Sequence, residues 1–227
     1  VKWDQLFGPS LCRTSRSTEI GLTFDDGPNP AVTPQLLKLL ERYGARATFF
    51  VVGKFARQCP ELVREIGARG HLIGNHTETH PHLALRSSTF IEEELKRCRD
   101  SIASATSLGA AYPAMWMRPP FGYRGPQLWG VVRRLGLRGV AMWSLTGYDW
   151  KSQPAARLID RLARVARRTN PVRGGEIVLL HDGDFRRLGA DRLHTVAALE
   201  HWLPRWRDAG IKFVTVDQAE GAEPRLG

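Results

Sequence analysis

The 227-residue sequence predicts a parallel α/β domain whose strands curl into a (β/α) barrel, and three observations carry that expectation. Seven short β-branched or apolar runs alternate with six longer runs of helical period, the order that builds parallel sheets. Several helical runs close on Gly, the usual left-handed cap, so each is punctuated where a turn back to the sheet is needed. The reactive side chains follow the C-terminal ends of five different strand runs. A barrel gathers such residues at one mouth, whereas an open doubly wound sheet spreads them along an edge.

The first strand run is EIGLTF (19–24), followed by TPQLLKLLERYG (33–44), with Pro at its start and Leu recurring at three- and four-residue spacing. ATFFVV (47–52) and PELVREIGARG (60–70) repeat the pair, Pro60 again opening the helix. HLIGN (71–75) precedes the long run TFIEEELKRCRDSIASATS (89–107). AMWMRP (114–119) and GPQLWGVVRRLG (125–136) come next, then GVAMWS (139–144) and PAARLIDRLARVARR (154–168). EIVLLH (176–181), DRLHTVAALEHWLPRWRDAG (191–210) and IKFVTV (211–216) complete the series. No repeat or linker interrupts it, so a single domain over 1–227 is expected, with its core at about 18–217 and a loose tail, QAEGAEPRLG.

Hydrophobic residues at 42% and charged residues at 25% are ordinary for a globular chain. No apolar run approaches the ~20 residues needed to span a bilayer. The chain begins at Val1 rather than Met, consistent with a leader or anchor removed ahead of it. The net charge of +10 suits acidic partners, but the basic residues fall on polar helix faces without interleaved aromatics, so nucleic-acid binding is not expected. Cys12, Cys59 and Cys98 lack CxxC spacing, which argues against a zinc–thiolate site and leaves one disulfide open.

The chemistry lies in five segments. TFDDGP ends the first strand with Asp25 beside Asp26, two like charges that need a cation or a divided role to coexist. NHTETH places His76 and His80 four residues apart, on one face if the backbone is helical. Two His and one Asp leave open coordination positions, as in catalytic zinc or in the facial triad of non-haem iron. MRPPFGYRG stiffens the backbone around Arg118 with two prolines. WSLTGYDW offers Asp149, and LLHDGD ends an apolar strand on His181.

TFDDGP, HxxxH, RPPFG, the Asp-Trp pair and LLHD, in this order from Thr23 to about Asp182, resemble the polysaccharide deacetylase family, the NodB-homology carbohydrate esterases of family 4. The resemblance implies a distorted, incompletely closed (β/α) barrel with about seven parallel strands. It implies that Asp26, His76 and His80 hold a metal ion, Zn²⁺ foremost, with Co²⁺ or Ni²⁺ as alternatives. Asp25 would be the catalytic base, Arg118 its partner, and the Phe121 backbone N–H an oxyanion donor. Asp149 would orient His181, the general acid. The implied activity is metal-dependent removal of N-acetyl groups from a GlcNAc polymer such as peptidoglycan or chitin. The alternatives are an O-acetyl esterase on xylan or a non-catalytic glycan-binding barrel. An iron oxygenase would leave Asp25 and His181 without roles. The implied setting is a monomer acting outside the cytoplasm on acetylated polysaccharide.

Two positions depart from the family pattern. Thr146 stands where an acidic residue often precedes the Asp-Trp pair, and Phe121 stands where Tyr is common. Trp150, Tyr148 and Phe185, in loops beyond strand ends, are expected to contact sugar, whereas Trp116 and Trp143 read as core. His71, His82, His194 and His201 receive no role.

Overall fold

In the computed structural model, which describes residues 7–106, 115–167 and 174–219, the first apolar run becomes the central strand β1 (Glu19–Gly27), buried at every position. It pairs in parallel with β2 (Ala47–Val51) on one side and β7 (Glu176–His181) on the other, both likewise buried throughout. Strands covered on both faces read as continuous apolar runs rather than alternating ones, as these three do. β3 (Leu72–Asn75), β4 (Trp116–Met117), β5 (Gly139–Val140) and β6 (Leu145–Thr146) extend the sheet in the order β5-β4-β3-β2-β1-β7-β6. β8 (Lys212–Phe213) joins the start of β1. Every ladder is parallel, and the sheet curls into a distorted, incompletely closed (β/α) barrel.

The helices are α1 (Thr33–Arg42), α2 (Gly53–Gln58), α3 (Pro60–Ala68), α4 (Ser88–Thr106), α5 (Gln127–Arg134), α6 (Ala155–Arg167), α7 (Leu193–Asp208) and α8 (Val216–Ala219). They bury apolar stripes against the sheet. Leu36, Leu37 and Leu40 of α1 and Leu199, Leu203 and Trp206 of α7 share one core with Ile20, Phe24 and Phe49. Phe24 and Phe49 stack across the β1–β2 ladder at 4.9 Å. Each such side chain contributes roughly 1.5–3 kcal/mol through burial.

The barrel is open between β5 and β6. The expected strand 139–144 pairs with β4 only through Val140; the carbonyls of Ala141 and Met142 are then taken by the Arg118 guanidinium, at 3.1 and 2.9 Å. The chain crosses over and resumes pairing at Leu145, now against β7. The expected strand 114–119 is cut to two described residues because Pro119 and Pro120 cannot donate to a ladder. The segment 11–13 spans the opening: the Leu11 N–H donates to Val140 and its carbonyl accepts from Met142, while Arg13 bridges to Glu176 of β7. No disulfide links Cys12, Cys59 and Cys98.

Candidate active site

In a regular strand successive side chains point to opposite faces, so Asp25 and Asp26 would be separated by the sheet. They are not, because β1 ends in a bulge. Asp25 lies opposite Phe50 and Gly27 opposite Val51, leaving Asp26 as the extra residue, at φ 71°. Aspartate tolerates this left-handed conformation better than most residues, and the bulge turns both carboxylates into one pocket. Gly27 is required just after it, since a Cβ there would lie 2.2 Å from Asp182 Oδ2.

His76 and His80 are brought together by a loop, not by the helix that their spacing suggested. Thr77 and His80 both have positive φ, 66° and 61°, which no helix allows. The Thr77 N–H donates to Asn75 Oδ1, and the His80 N–H to Thr77 Oγ1. Two buried carboxylates fasten the loop: Glu94 of α4 accepts the Thr79 N–H (2.8 Å) and hydroxyl (2.9 Å), while Glu78 is bound by Arg57 and Ser101. Glu94→Ala is expected to weaken cation binding on the order of 10–100-fold, the usual cost of losing groups that orient ligands, and a zinc titration against a chelator checks it.

The ligand atoms of Asp26, His76 and His80 lie within 4.8 Å of one another. His80 Nε2 is 3.1 Å and His76 Nε2 is 3.5 Å from Asp26 Oδ1, yet that buried oxygen makes no hydrogen bond. His76 Nδ1 lies 2.8 Å from the Arg118 carbonyl, which fixes the proton there and turns the Nε2 lone pair toward Asp26. Burial holds His80 below the usual imidazole range, toward the neutral form that ligates metal. Burial opposes ionisation of Asp26 as well, but the two imidazoles beside it outweigh this and hold its carboxyl well below the carboxylate range. Two imidazole lone pairs and an unsatisfied carboxylate oxygen suit a divalent transition ion, with coordination positions left open.

Arg118 is fully buried and every arm is used. Nη1 donates to Asp25 Oδ1 at 2.8 Å and to Thr23 Oγ1 at 2.7 Å, and the guanidinium lies 4.1 Å over the Phe50 ring. Asp25 Oδ2 remains directed toward His76, 3.7 Å away.

On the β7 side, His181 Nδ1 is 2.8 Å from Asp149 Oδ1, and the His181 N–H donates to Oδ2. Burial disfavours the imidazolium, but the buried Asp149 carboxylate outweighs it and His181 is pushed up to about 9. Asp149 is itself held by the Thr195 hydroxyl at Oδ2 and by His194 Nε2, 2.7 Å from its carbonyl. His194 and Thr195 open α7. Their role was hidden in the sequence because His194 and His201 read as an ordinary helix face.

The pocket of about 370 Å³ is lined by Asp25, Asp26, His76, His80 and His181, so one member of each pair and the Asp–His–His cluster share one space, with Arg118 and Asp149 buried behind it. Of the expected sugar contacts, Trp150 lines it, 5.4 Å from the His181 ring. Phe185 lines it too, but stacks on His80 at 4.1 Å, and Phe121 meets that imidazole edge-on. Tyr148 does not line the pocket; it packs beside Trp150 under Arg161. Trp143, expected in the core, lines the pocket instead, because the strand meant to bury it is broken at Ala141. Thr146 fills its departed position by accepting the Tyr148 N–H at 3.3 Å. Asp182, also unanticipated, is buried and accepts the Thr33 hydroxyl; burial, with the charges of Asp26 and Asp25 adding, pushes it up to about 7.

Residues 13–140 match the family model described as polysaccharide deacetylase. A chitooligosaccharide deacetylase of Azorhizobium caulinodans is 34% identical over 91% of this chain and 96% of its own length. A peptidoglycan-N-acetylglucosamine deacetylase of Bacillus cereus is 34% identical over 88% of this chain and 86% of its own. A crystal structure of a peptidoglycan N-acetylglucosamine deacetylase superposes with a TM-score of 0.79 at 28% identity, covering 92% of this chain and 91% of that one.

Proposed function

The chain belongs to the polysaccharide deacetylase family, and from that premise we propose that it hydrolyses N-acetyl groups of a GlcNAc-containing polysaccharide of the peptidoglycan or chitin type, with one divalent ion, Zn²⁺, held by Asp26, His76 and His80. The observation that carries this reading is the convergence of an Asp25–Arg118 pair and a His181–Asp149 pair on the pocket that contains the Asp–His–His cluster.

When bound, the ion supplies Lewis acidity, acidifying a coordinated water and polarising the acetamide carbonyl. Asp25, held by Arg118 through Oδ1, has Oδ2 left to accept the proton of the attacking water. The Phe121 backbone N–H is assigned to the oxyanion, its ring fixed against His80. An amine leaves poorly unless protonated. His181 carries a proton through its pairing with Asp149 and gives it to the departing nitrogen as the C–N bond breaks, leaving acetate and a free amine.

The sign of the pH dependence follows. His181 is protonated below about 9 and loses its proton above, so kcat/KM falls on the alkaline side. A cation beside Asp26 cancels the part of that rise due to the Asp25 and Asp26 charges, which places the limb at or below about 9. Asp149→Asn removes the main charge favouring the imidazolium, so the alkaline limb moves to lower pH and the rate falls; a pH–rate profile of both proteins checks this.

Acetate release from GlcNAc oligomers and from acetylated xylan, with chelated and zinc-restored protein, tests the reading. Release from the GlcNAc oligomers is expected. Release from xylan alone would make the protein an O-acetyl esterase, and no release from either would leave a glycan-binding barrel. The same reading has the protein act on its polymer outside the cytoplasm and as a monomer; no helix among the described residues is long and apolar enough to cross a membrane.

A further inference from the structure

Seven large hydrophobic side chains are well exposed among the described residues, and Phe121, Tyr123 and Trp150 line the pocket, with Tyr148 packed against Trp150 at its edge. Exposed aromatics gathered in one place mark a binding surface. They form two groups. Trp150 stands beside His181, with Tyr148 packed against Trp150. On the His80 side, the Phe121 and His82 rings stack 4.0 Å apart and nearly parallel, and Tyr123 follows at 5.7 Å from His82.

This second group has a rigid base. Phe121 and Gly122 both adopt positive φ, 59° and 73°, and a Cβ on Gly122 would lie 2.6 Å from the Trp143 ring. The backbone that presents Tyr123 is therefore fixed against the pocket wall, while Tyr123 itself is 60% exposed. The pocket, at about 370 Å³, is at the small end of the ~300–1,000 Å³ range of small-molecule sites. It has room for one acetylated hexosamine, and the rest of a polymer must lie across the mouth.

We propose that Tyr123, seated on His82, which itself stacks on Phe121, is a stacking platform for a sugar neighbouring the one that is deacetylated, so that the enzyme reads oligomers in preference to single sugars or dimers. The inference rests on the deacetylase reading for its ligand class. A pyranose presents a face of C–H groups, apolar and weakly positive, which complements the negative face of a phenol ring. Continuity with the pocket, through Phe121 and Tyr123 in its wall, is what assigns the platform to the same chain as the reacting sugar.

The test is titration calorimetry with GlcNAc dimer and pentamer on zinc-loaded Asp25→Asn protein, which leaves the ligand intact, with acetate release by the unsubstituted enzyme measured alongside. The pentamer is expected to bind roughly tenfold more tightly than the dimer, a ratio that Tyr123→Ala lowers to about twofold or less and Tyr123→Phe retains. His82→Ala, which removes the support beneath Tyr123, lowers the ratio in the same direction. Equal affinity for the two ligands, or a ratio unchanged by Tyr123→Ala, overturns the proposal. Acetate release with an unchanged ratio would leave the deacetylase reading standing without the platform. A Tyr123-dependent ratio without acetate release would do the reverse.

Discussion

Asp25→Asn protein, loaded with zinc, is expected to release acetate on the order of 10²–10⁴-fold more slowly than the unsubstituted enzyme, with its zinc content unchanged. The substitution keeps the shape of the side chain and an oxygen for the Arg118 Nη1 hydrogen bond at 2.8 Å, but removes the group assigned to accept the water proton. The proposed metal set does not include Asp25: the cluster able to hold an ion comprises Asp26, His76 and His80, and the bulge at Asp26 is what keeps the neighbouring carboxylates distinct. Single-turnover acetate release together with elemental analysis separates the two roles. A variant that lost zinc and activity together would assign Asp25 to the metal instead.

Arg118→Leu is expected to cost about 3–5 kcal/mol of stability, the range for breaking a buried ion pair from one side. Asp25 is 3% exposed and would be left in the barrel without its cation. The carbonyls of Ala141 and Met142 and the Thr23 hydroxyl would lose donors at the same time, and the buried Ala141 and Thr23 acceptors would carry an uncompensated desolvation cost. Arg118→Lys does not rescue it, because an ammonium cannot reproduce a planar fork that reaches four oxygens. Urea unfolding measures the loss. In the double variant Asp25→Asn/Arg118→Leu the costs should fall short of their sum, since each substitution removes the same contact.

The parts of this molecule legible in the sequence are those governed by local pattern. β1, β2 and β7 are buried on both faces and announce themselves as apolar runs, and the helices flanking them carry clear Leu periodicity and Pro starts. Where long-range hydrogen bonding decides, local pattern misleads. The run 139–144 has strand composition throughout, but the Arg118 side chain, distant in sequence, takes the carbonyls that a ladder would have used. β6 exists only because β7 is beside it, and the six-residue α2 has no capping side chain to signal its start.

The candidate site divides in the same way. Asp25, Asp26, His76, His80, Arg118, Asp149 and His181 were legible as residue types at strand ends, and the fold brings them to one mouth. How they get there was not. The His76–His80 spacing suggested a helix, whereas a loop with two left-handed residues, pinned by Glu94 and Glu78, does the work. Thr195 and His194 support Asp149 from a helix 45 residues further on, with no local signal to tie them to it. Aromatic exposure follows packing rather than identity, which is why Trp143 lines the pocket while Tyr148 stays exposed beside Trp150 at its edge.

Acetate release from the GlcNAc pentamer by chelator-stripped protein, titrated with Zn²⁺, decides whether one ion per chain drives the hydrolysis. Activity is expected to be absent at first, to rise linearly with added zinc, and to break to a plateau at one equivalent per chain, the stoichiometry of a single Asp26–His76–His80 site. Full activity in the stripped protein, or a rise with no break at one equivalent, would contradict it.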